Sequence, residues 1–220
     1  MVLLVGVVAA ACAPAETPAL TPLPSGSSGA ATTLTTPMPS GSPEAASTQA
    51  AEKIMRDVRL SDPESLAGLD GVRFTEPGAA AAGSVLATHP SGALLWAATY
   101  VYASSGSDAA PLRGLIAEAD ATVRVMAAAG LIARGDPAGF EPLVGALTDR
   151  DLLAGSDPPQ EVWMFATSTL VRYAGRQGPV PSPDAGADDL ATGQRAWEQW
   201  LQASGDRLRF DPASGTWSTP

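Results

Sequence analysis

Residues 120–136 read DATVRVMAAAGLIARGD, and the spacing of their apolar side chains decides the fold that the sequence predicts. Val123, Ala127 and Leu131 recur every four residues, which places them in one stripe on an α-helix. The small residue in the middle of the stripe lets a neighbouring helix approach closely. Asp120 stands where its side chain can cap the first turn. The stretch therefore predicts a helix that packs tightly against a neighbour.

The same pattern of a large, a small and a large residue recurs in two other segments. Its aligned residues are Leu94, Ala98 and Tyr102 before the first stretch, and Val162, Ala166 and Leu170 after it. Shorter segments at 111–119 and 137–148 also place their apolar side chains on one face of a helix. A unit of about thirty residues built from two helices is typical of solenoid repeats.

Turn and cap residues mark the ends of these helices. Asp136-Pro137 places a side-chain acceptor before a proline in the first helical turn, where the missing N–H costs nothing. Gly106 and Gly135 stand at matching positions, where a left-handed residue would end each longer helix. These signals favour helical hairpins joined by short loops.

Residues 120–136 resemble a bacterial HEAT repeat of the type shared with bilin-lyase-like repeats. The matching features are Asp120, the Val-Arg pair at 123–124 and the Ala-Ala-x-x-Leu core at 127–131. The resemblance extends over the other two patterned segments and departs from the family at the longer loop 150–159 and the proline-rich insert 178–189. It implies an all-α domain over residues 52–220, built as a short HEAT-like stack of helical hairpins, an α-solenoid.

The C-terminal part of this domain is rich in tryptophan. Residues 191–203 have the spacing of a helix, and a hairpin or packed arm is predicted around the turn at 211–215. The apolar residues of this part are Trp197, Trp200, Leu201, Leu208, Phe210 and Trp217. We expect them to cover the end of the stack, since terminal repeats need a cap. The alternative is a platform of tryptophans for a ligand.

The N-terminus predicts a signal peptide. Residues 2–11 are all apolar or glycine, which is the length of a signal-peptide core and too short to span a bilayer. The small residues 9–11 followed by Cys12 resemble the lipobox of bacterial lipoproteins. This resemblance implies that 1–12 is a lipoprotein signal with its lipobox cysteine, and that Cys12 carries a diacylglyceryl anchor at the extracytoplasmic face of the cell membrane. Without acylation, an ordinary cleaved signal would leave a secreted protein.

Residues 13–51 predict a disordered tether. They contain seven prolines, many Ser, Thr, Gly and Ala residues, two charges and no aromatic residue. Such a composition cannot bury enough apolar surface to offset the entropy of ordering the chain. Its Ser and Thr residues leave open whether the tether is glycosylated.

Charge and cysteine content restrict the classes of function. The chain has 23 acidic and 13 basic residues, a net charge of −10, and no basic cluster. Binding to the phosphates of nucleic acid is therefore disfavoured, as is electrostatic attachment to anionic lipids. Cys12 is the only cysteine, so no disulfide can form within the chain.

The sequence offers no constellation typical of an enzyme or of a cofactor site. His89 is the only histidine, and no Cys/His zinc pattern or glycine-rich phosphate loop is present. Asp149, Asp151 and Asp157 leave open a metal ion in an acidic loop, although their spacing lacks the alternation of a calcium loop and fits helix capping and solvated charge. We therefore expect neither catalysis nor a cofactor.

Trp96 and Tyr100 are the candidate residues for binding a partner. They lie four positions apart, on the helix face opposite to the stripe of Leu94. Either they pack on a preceding helix near 79–87, or they form an exposed aromatic patch that contacts another protein. We expect a membrane-tethered binding or scaffold module for an unidentified protein partner, with an envelope structural or assembly factor as the alternative.

Overall fold

A computed structural model describes residues 43–174 and 178–219. Within these ranges, regular structure is helical apart from one two-stranded sheet near the C-terminus, which confirms the predicted predominance of helices. No helix in the described part of the chain is both long and apolar enough to cross a membrane. Cys12, the signal peptide at 1–12 and the first thirty residues of the predicted tether lie outside the described residues.

Nine helices form the described part of the chain. They are α1 Pro43–Arg56, α2 Pro63–Asp70, α3 Glu76–Leu86, α4 Gly92–Ser105, α5 Ala110–Arg113, α6 Ala121–Ala133, α7 Phe140–Gly145, α8 Val162–Ala174 and α9 Ala187–Ser204. Short 3-10 turns at Pro137–Gly139 and Ala146–Thr148 extend α7 at both ends, and a third, Gly205–Arg207, follows α9. Strands β1 Arg209–Asp211 and β2 Thr216–Ser218 pair antiparallel, with Phe210 opposite Trp217.

The predicted stripes form the core. Ala98, Ala127 and Ala166 have no exposed surface, as close approach of neighbouring helices requires. Helix α4 packs against α6, and α6 packs against α8, while α3 lies on α4 and α7 lies on α8. The helices predicted at 94–102, 123–131 and 162–170 are therefore present, and their small central residues are buried.

The caps explain where several helices begin and end. The side chain of Asp120 accepts the N–H of Val123 at 3.0 Å, and Asp136 accepts that of Ala138 at 3.0 Å, as predicted. Gly135 has a φ of +78°, which also agrees with the prediction of a left-handed residue.

The prediction for Gly106 is wrong, because its φ is −62°. Arg134, just past the end of α6, instead satisfies the end of α4. Its guanidinium donates to the carbonyls of Tyr102, Ala103 and Gly106 at 2.7, 3.1 and 2.6 Å. Burial lowers the pKa of Arg134. With these carbonyls paired, α4 needs no left-handed cap.

Two boundaries differ from the sequence prediction. Helix α1 begins at Pro43, so the predicted end of the tether at residue 51 is too late. Ala51 and Met55 are 2% and 0% exposed, and α1 packs against α3 and α4. Alanine is as common in a tether as in a tightly packed helix, and composition alone does not separate the two. The helix predicted at 111–119 is short, since α5 ends at Arg113 and turns follow.

The C-terminal cap has the predicted form of a helix followed by a hairpin. Trp197 is fully buried and Trp217 is 6% exposed. The ring of Phe140 meets those of Trp200 and Trp217 edge to face, with centroids 5.6 and 5.3 Å apart. A ligand platform built on Trp197 and Trp217 is therefore wrong, because their rings already lie in the core.

Candidate functional site

The described part of the chain places four side chains in a stack where the loop 71–75 meets α4. We call Phe74, Arg73, Tyr100 and Trp96 the aromatic ladder. The rings of Trp96 and Tyr100 are parallel within 8°, with centroids 5.2 Å apart. The Cζ atom of Arg73 lies 5.2 Å from the centroid of Tyr100 and 4.4 Å from that of Phe74. Each guanidinium–ring contact is attractive, because the ring face is electron-rich.

Polar contacts hold the ladder in place. The hydroxyl of Tyr100 donates to Asp70 Oδ1 at 2.6 Å and accepts a hydrogen bond from Arg73 Nη1. Arg73 Nη1 also lies 3.4 Å from Asp70 Oδ1. Burial, followed by the hydrogen bond to Asp70, raises the pKa of Tyr100 to about 12. The hydroxyl is therefore kept as a neutral donor, and the end of α2 is fixed to the middle of α4.

The ladder is buried at one end and open at the other. Trp96 is only 4% exposed, whereas Phe74 is 57% exposed. A Cβ atom added at Gly155 would lie 2.5 Å from Cζ2 of Trp96, so the backbone of the loop 150–159 passes directly over the indole. Glycine at 155, with its φ of +72°, is what allows this contact.

Two donors in the ladder have no acceptor among the residues that the structure describes. Nε1 of Trp96 and Nε of Arg73 are buried without a hydrogen-bond partner. Three other indole N–H groups do have acceptors: Trp163 donates to Glu161, Trp197 to the carbonyl of Pro179 and Trp217 to that of Ile132. An unpaired buried donor costs free energy, and such groups in a folded protein call for an explanation. The ladder thus differs from these three tryptophan sites.

The structure places Trp96 and Tyr100 against each other, but their exposure differs from the predicted exposed patch. The interpretation of Trp96 and Tyr100 as an exposed aromatic patch is wrong for Trp96, which is buried, while Tyr100 is half-buried. The exposed aromatic residue is Phe74. Sequence reasoning missed it, although an Arg-Phe pair in a five-residue connection between helices, three residues after Asp70, was a visible signal.

Of the three aspartates in the acidic loop, Asp149 has side-chain contacts with the rest of the chain. Asp149 Oδ1 accepts the N–H of Asp151 at 3.0 Å, and Asp149 Oδ2 lies 3.8 Å from Arg124. No group of three or more His, Cys, Asp or Glu side chains suited to a metal ion occurs in ranges 43–174 and 178–219. His89 is exposed in the loop between α3 and α4.

Many of the arginines act inside the domain. Arg113 pairs with Asp136 at 2.6 Å, Arg134 binds the end of α4, and Arg150 donates to the carbonyl of Ala185 at 2.6 Å. Arg73 is only 18% exposed in its side chain, within the ladder. Acidic residues outnumber basic ones by 23 to 13, and these arginines are paired with groups of the same domain, so the chain as a whole carries an excess of negative charge.

No protein-family model matches the chain, and no curated protein or solved structure has significant similarity to it.

Proposed function

We propose that this protein is a membrane-tethered binding module that contacts a protein partner through the aromatic ladder. The exposed Phe74 is the observation that carries the proposal. Aromatic rings and arginines dominate the energetics of protein interfaces, above all where they are held rigidly. Here the guanidinium of Arg73 supports the ring of Phe74 at 4.4 Å, and Tyr100 and Asp70 fix Arg73 in turn. A partner would therefore lose little side-chain freedom on binding.

The proposal includes a HEAT-like stack as the support of the ladder. The resemblance at 120–136 favours it, as does the order in which α4 packs on α6 and α6 on α8. The contact of Arg134 with the end of α4 joins successive units at one end of these helices. At the other end, the N–H of Ala154 donates to the hydroxyl of Thr122 at 3.0 Å. Stacks of helical hairpins suit the presentation of an extended binding surface.

The proposal also includes a lipid anchor at Cys12 on the extracytoplasmic face of the membrane. Its support is the lipobox-like sequence after an apolar run of signal-peptide length. Each buried methylene contributes about 0.8 kcal/mol, so two or three acyl chains hold a protein stably where one does not. If the thirty residues between Cys12 and α1 behave as a flexible coil, the domain reaches roughly 30 Å from the membrane.

Crosslinking in intact cells tests the ladder. The full chain carries one lysine, so the crosslinker is a photo-reactive amino acid in place of the exposed Glu76. We expect a discrete crosslinked protein with the ladder intact and its loss with Phe74→Ala. Leu152→Ala is the matched control, because Leu152 is 67% exposed and lies outside the ladder. If Phe74→Ala keeps the crosslink, or if the crosslinks go to cell-wall material, the ladder is not the partner site.

Membrane fractionation tests the anchor separately. We expect Cys12→Ser to move the protein from the membrane fraction to the soluble fraction, because the substitution removes the thiol that would be acylated. Cys12 lies far from the ladder in sequence, and the stability of the variant should equal that of the parent protein. A variant that still sediments with membranes would overturn the anchor.

A further inference from the structure

We propose that a second surface, the groove between α7 and α9, binds a segment of a partner protein in which Lys or Arg residues flank an aliphatic residue. The groove has a volume of about 430 Å³. It is lined by Glu141, Val144 and Gly145 from α7 and by Glu198, Leu201 and Gln202 from α9. It is built from elements other than the ladder and does not depend on the function proposed above.

The floor of the groove is apolar. Val144 is 3% exposed and belongs to the core, and Leu201 is half-buried beside it. The volume lies within the range in which proteins bind organic groups in clefts. An aliphatic side chain seated on the half-buried Leu201, beside the small exposed edge of Val144, would leave water, which is favourable in proportion to the apolar area that it buries.

The rims of the groove are negative. Glu141 on α7 and Glu198 on α9 are both exposed, and neither carboxylate forms an ion pair within the described residues. The described residues that line the groove include no basic side chain to oppose them. A cationic side chain on each side of the aliphatic residue would complement both rims, and the net charge of −10 would steer such a segment toward this protein.

Gly145 has no side chain to fill the groove beside it. Its φ of −61° and ψ of −27° are ordinary helical values, and an added Cβ would meet nothing within 4 Å. The backbone conformation at residue 145 therefore does not require glycine. Gly139 is different, because a Cβ there would overlap the carbonyl of Ala128. Gly145 has no such role in packing, and its effect is to keep the groove open.

The occupant is a different protein rather than this chain. Residues 1–42 contain no lysine or arginine, so the N-terminal segment cannot supply the cations. Two segments of a second copy have basic residues around an aliphatic one, Arg207-Leu208-Arg209 and residues 56–59. Their aliphatic residues, Leu208 and Val58, are each only 7% exposed and are already used in the core. A basic segment from another protein fits both the floor and the rims.

Binding of a defined peptide tests this assignment. The probe is a fluorescein-labelled, end-capped peptide of sequence Gly-Lys-Leu-Val-Arg-Gly, titrated by anisotropy against the purified full chain at low salt. We expect saturable binding and at least a ten-fold loss of affinity in Gly145→Leu, whose side chain fills the groove. Gly145→Ala is the matched control and should bind within about two-fold of the parent protein, because a methyl group leaves most of the volume open.

Charge variants keep the test independent of whether Gly145→Leu folds. Removing both rim carboxylates with Glu141→Gln and Glu198→Gln should weaken binding about five-fold, the range expected for two exposed ion pairs. The control removes the same charge elsewhere, with Glu44→Gln and Glu64→Gln, two exposed glutamates outside the groove. Equal losses in both pairs would mean that only net charge attracts the peptide, and the groove would be refuted.

Two further measurements separate this proposal from its rivals. Phe74→Ala should bind the peptide as the parent protein does. Binding at the groove would therefore be unchanged even if the aromatic ladder proved not to be a partner site. A self-associating protein would elute as a dimer that Gly145→Leu dissociates, and that outcome would replace the foreign segment with a second copy. Absence of saturable binding would also overturn the proposal.

Discussion

The aromatic ladder and the C-terminal cap are both clusters of aromatic rings, yet they are built in different ways. In the cap, Trp197 and Trp200 meet at 86° and Phe140 and Trp217 at 79°. Rings at such angles interlock and fill a core. In the ladder, Trp96 and Tyr100 are nearly parallel, and the stack continues through Arg73 to an exposed ring.

The hydrogen bonds of the indole N–H groups also differ between the two clusters. Trp197 and Trp217 donate to backbone carbonyls at 3.2 and 3.0 Å, so their polar atoms are satisfied within the fold. Trp96 lacks an acceptor. Trp197 and Trp217 thus have both their rings and their N–H groups used within the fold. The ladder, among the described residues, keeps an unpaired donor at its buried end and an exposed ring at its open end.

The same substitution in both clusters gives the largest expected effect. Trp217→Phe removes the donor to the carbonyl of Ile132 and should reduce the free energy of unfolding by about 1–3 kcal/mol. Trp96→Phe removes a donor that has no acceptor and should cost at least about 1 kcal/mol less, although both changes lose similar ring area. Urea unfolding followed by circular dichroism measures the difference. Equal losses would mean that the indole of Trp96 is paired in solution.

Alkaline pH should affect the ladder and leave the cap unchanged. Tyr100 has a pKa of about 12 in the folded protein, against 10 when it is unfolded. Its protonated form is the one that the fold favours, so its stabilising contribution is complete below pH 10 and is lost as the pH rises toward 12. After allowance for its partial exposure, we expect a loss on the order of 1 kcal/mol.

Unfolding measured between pH 9 and pH 11.5 checks this, with Tyr100→Phe as the control. In that variant the part of the decline caused by Tyr100 should disappear. The absorbance of tyrosinate should also show Tyr100 titrating late. If the parent protein and the variant lose stability in parallel, the hydroxyl of Tyr100 is not held as described.

Truncating the open end of the ladder should have the smallest effect on stability. Phe74 is 57% exposed, so Phe74→Ala is expected to change the free energy of unfolding by less than about 0.5 kcal/mol. The melting temperature, compared with that of Leu152→Ala, measures this directly. A loss of several kcal/mol would place Phe74 in the core and remove the distinction between the two clusters.

Much of the fold could be predicted because it depends on local periodicity. The spacing of Ala98, Ala127 and Ala166 located the buried faces of three helices, and Asp120 and Asp136 located two helix starts. These signals act over four residues or fewer. The start of α1 was missed because an alanine-rich segment has the same composition whether it packs or not.

The ladder could be predicted only in part. Trp96 and Tyr100 are four residues apart on one helix, so the sequence shows that they are neighbours. Arg73 and Asp70 reach Tyr100 across 27 and 30 residues, and these contacts depend on how the chain returns after α2 to pack α3 against α4. Which ring would be buried therefore depended on the tertiary structure, and the exposed Phe74 carried no periodic signal.

The joint made by Arg134 has a consequence for the environments in which the domain can work. A guanidinium keeps its proton over the whole range of pH that cells meet, whereas an imidazole in the same place would lose its charge near neutrality. A domain proposed to sit outside the cytoplasm meets whatever acidity its surroundings impose. Because Arg134 binds the C-terminal end of α4 through a guanidinium, this contact should not change when the surroundings become acidic.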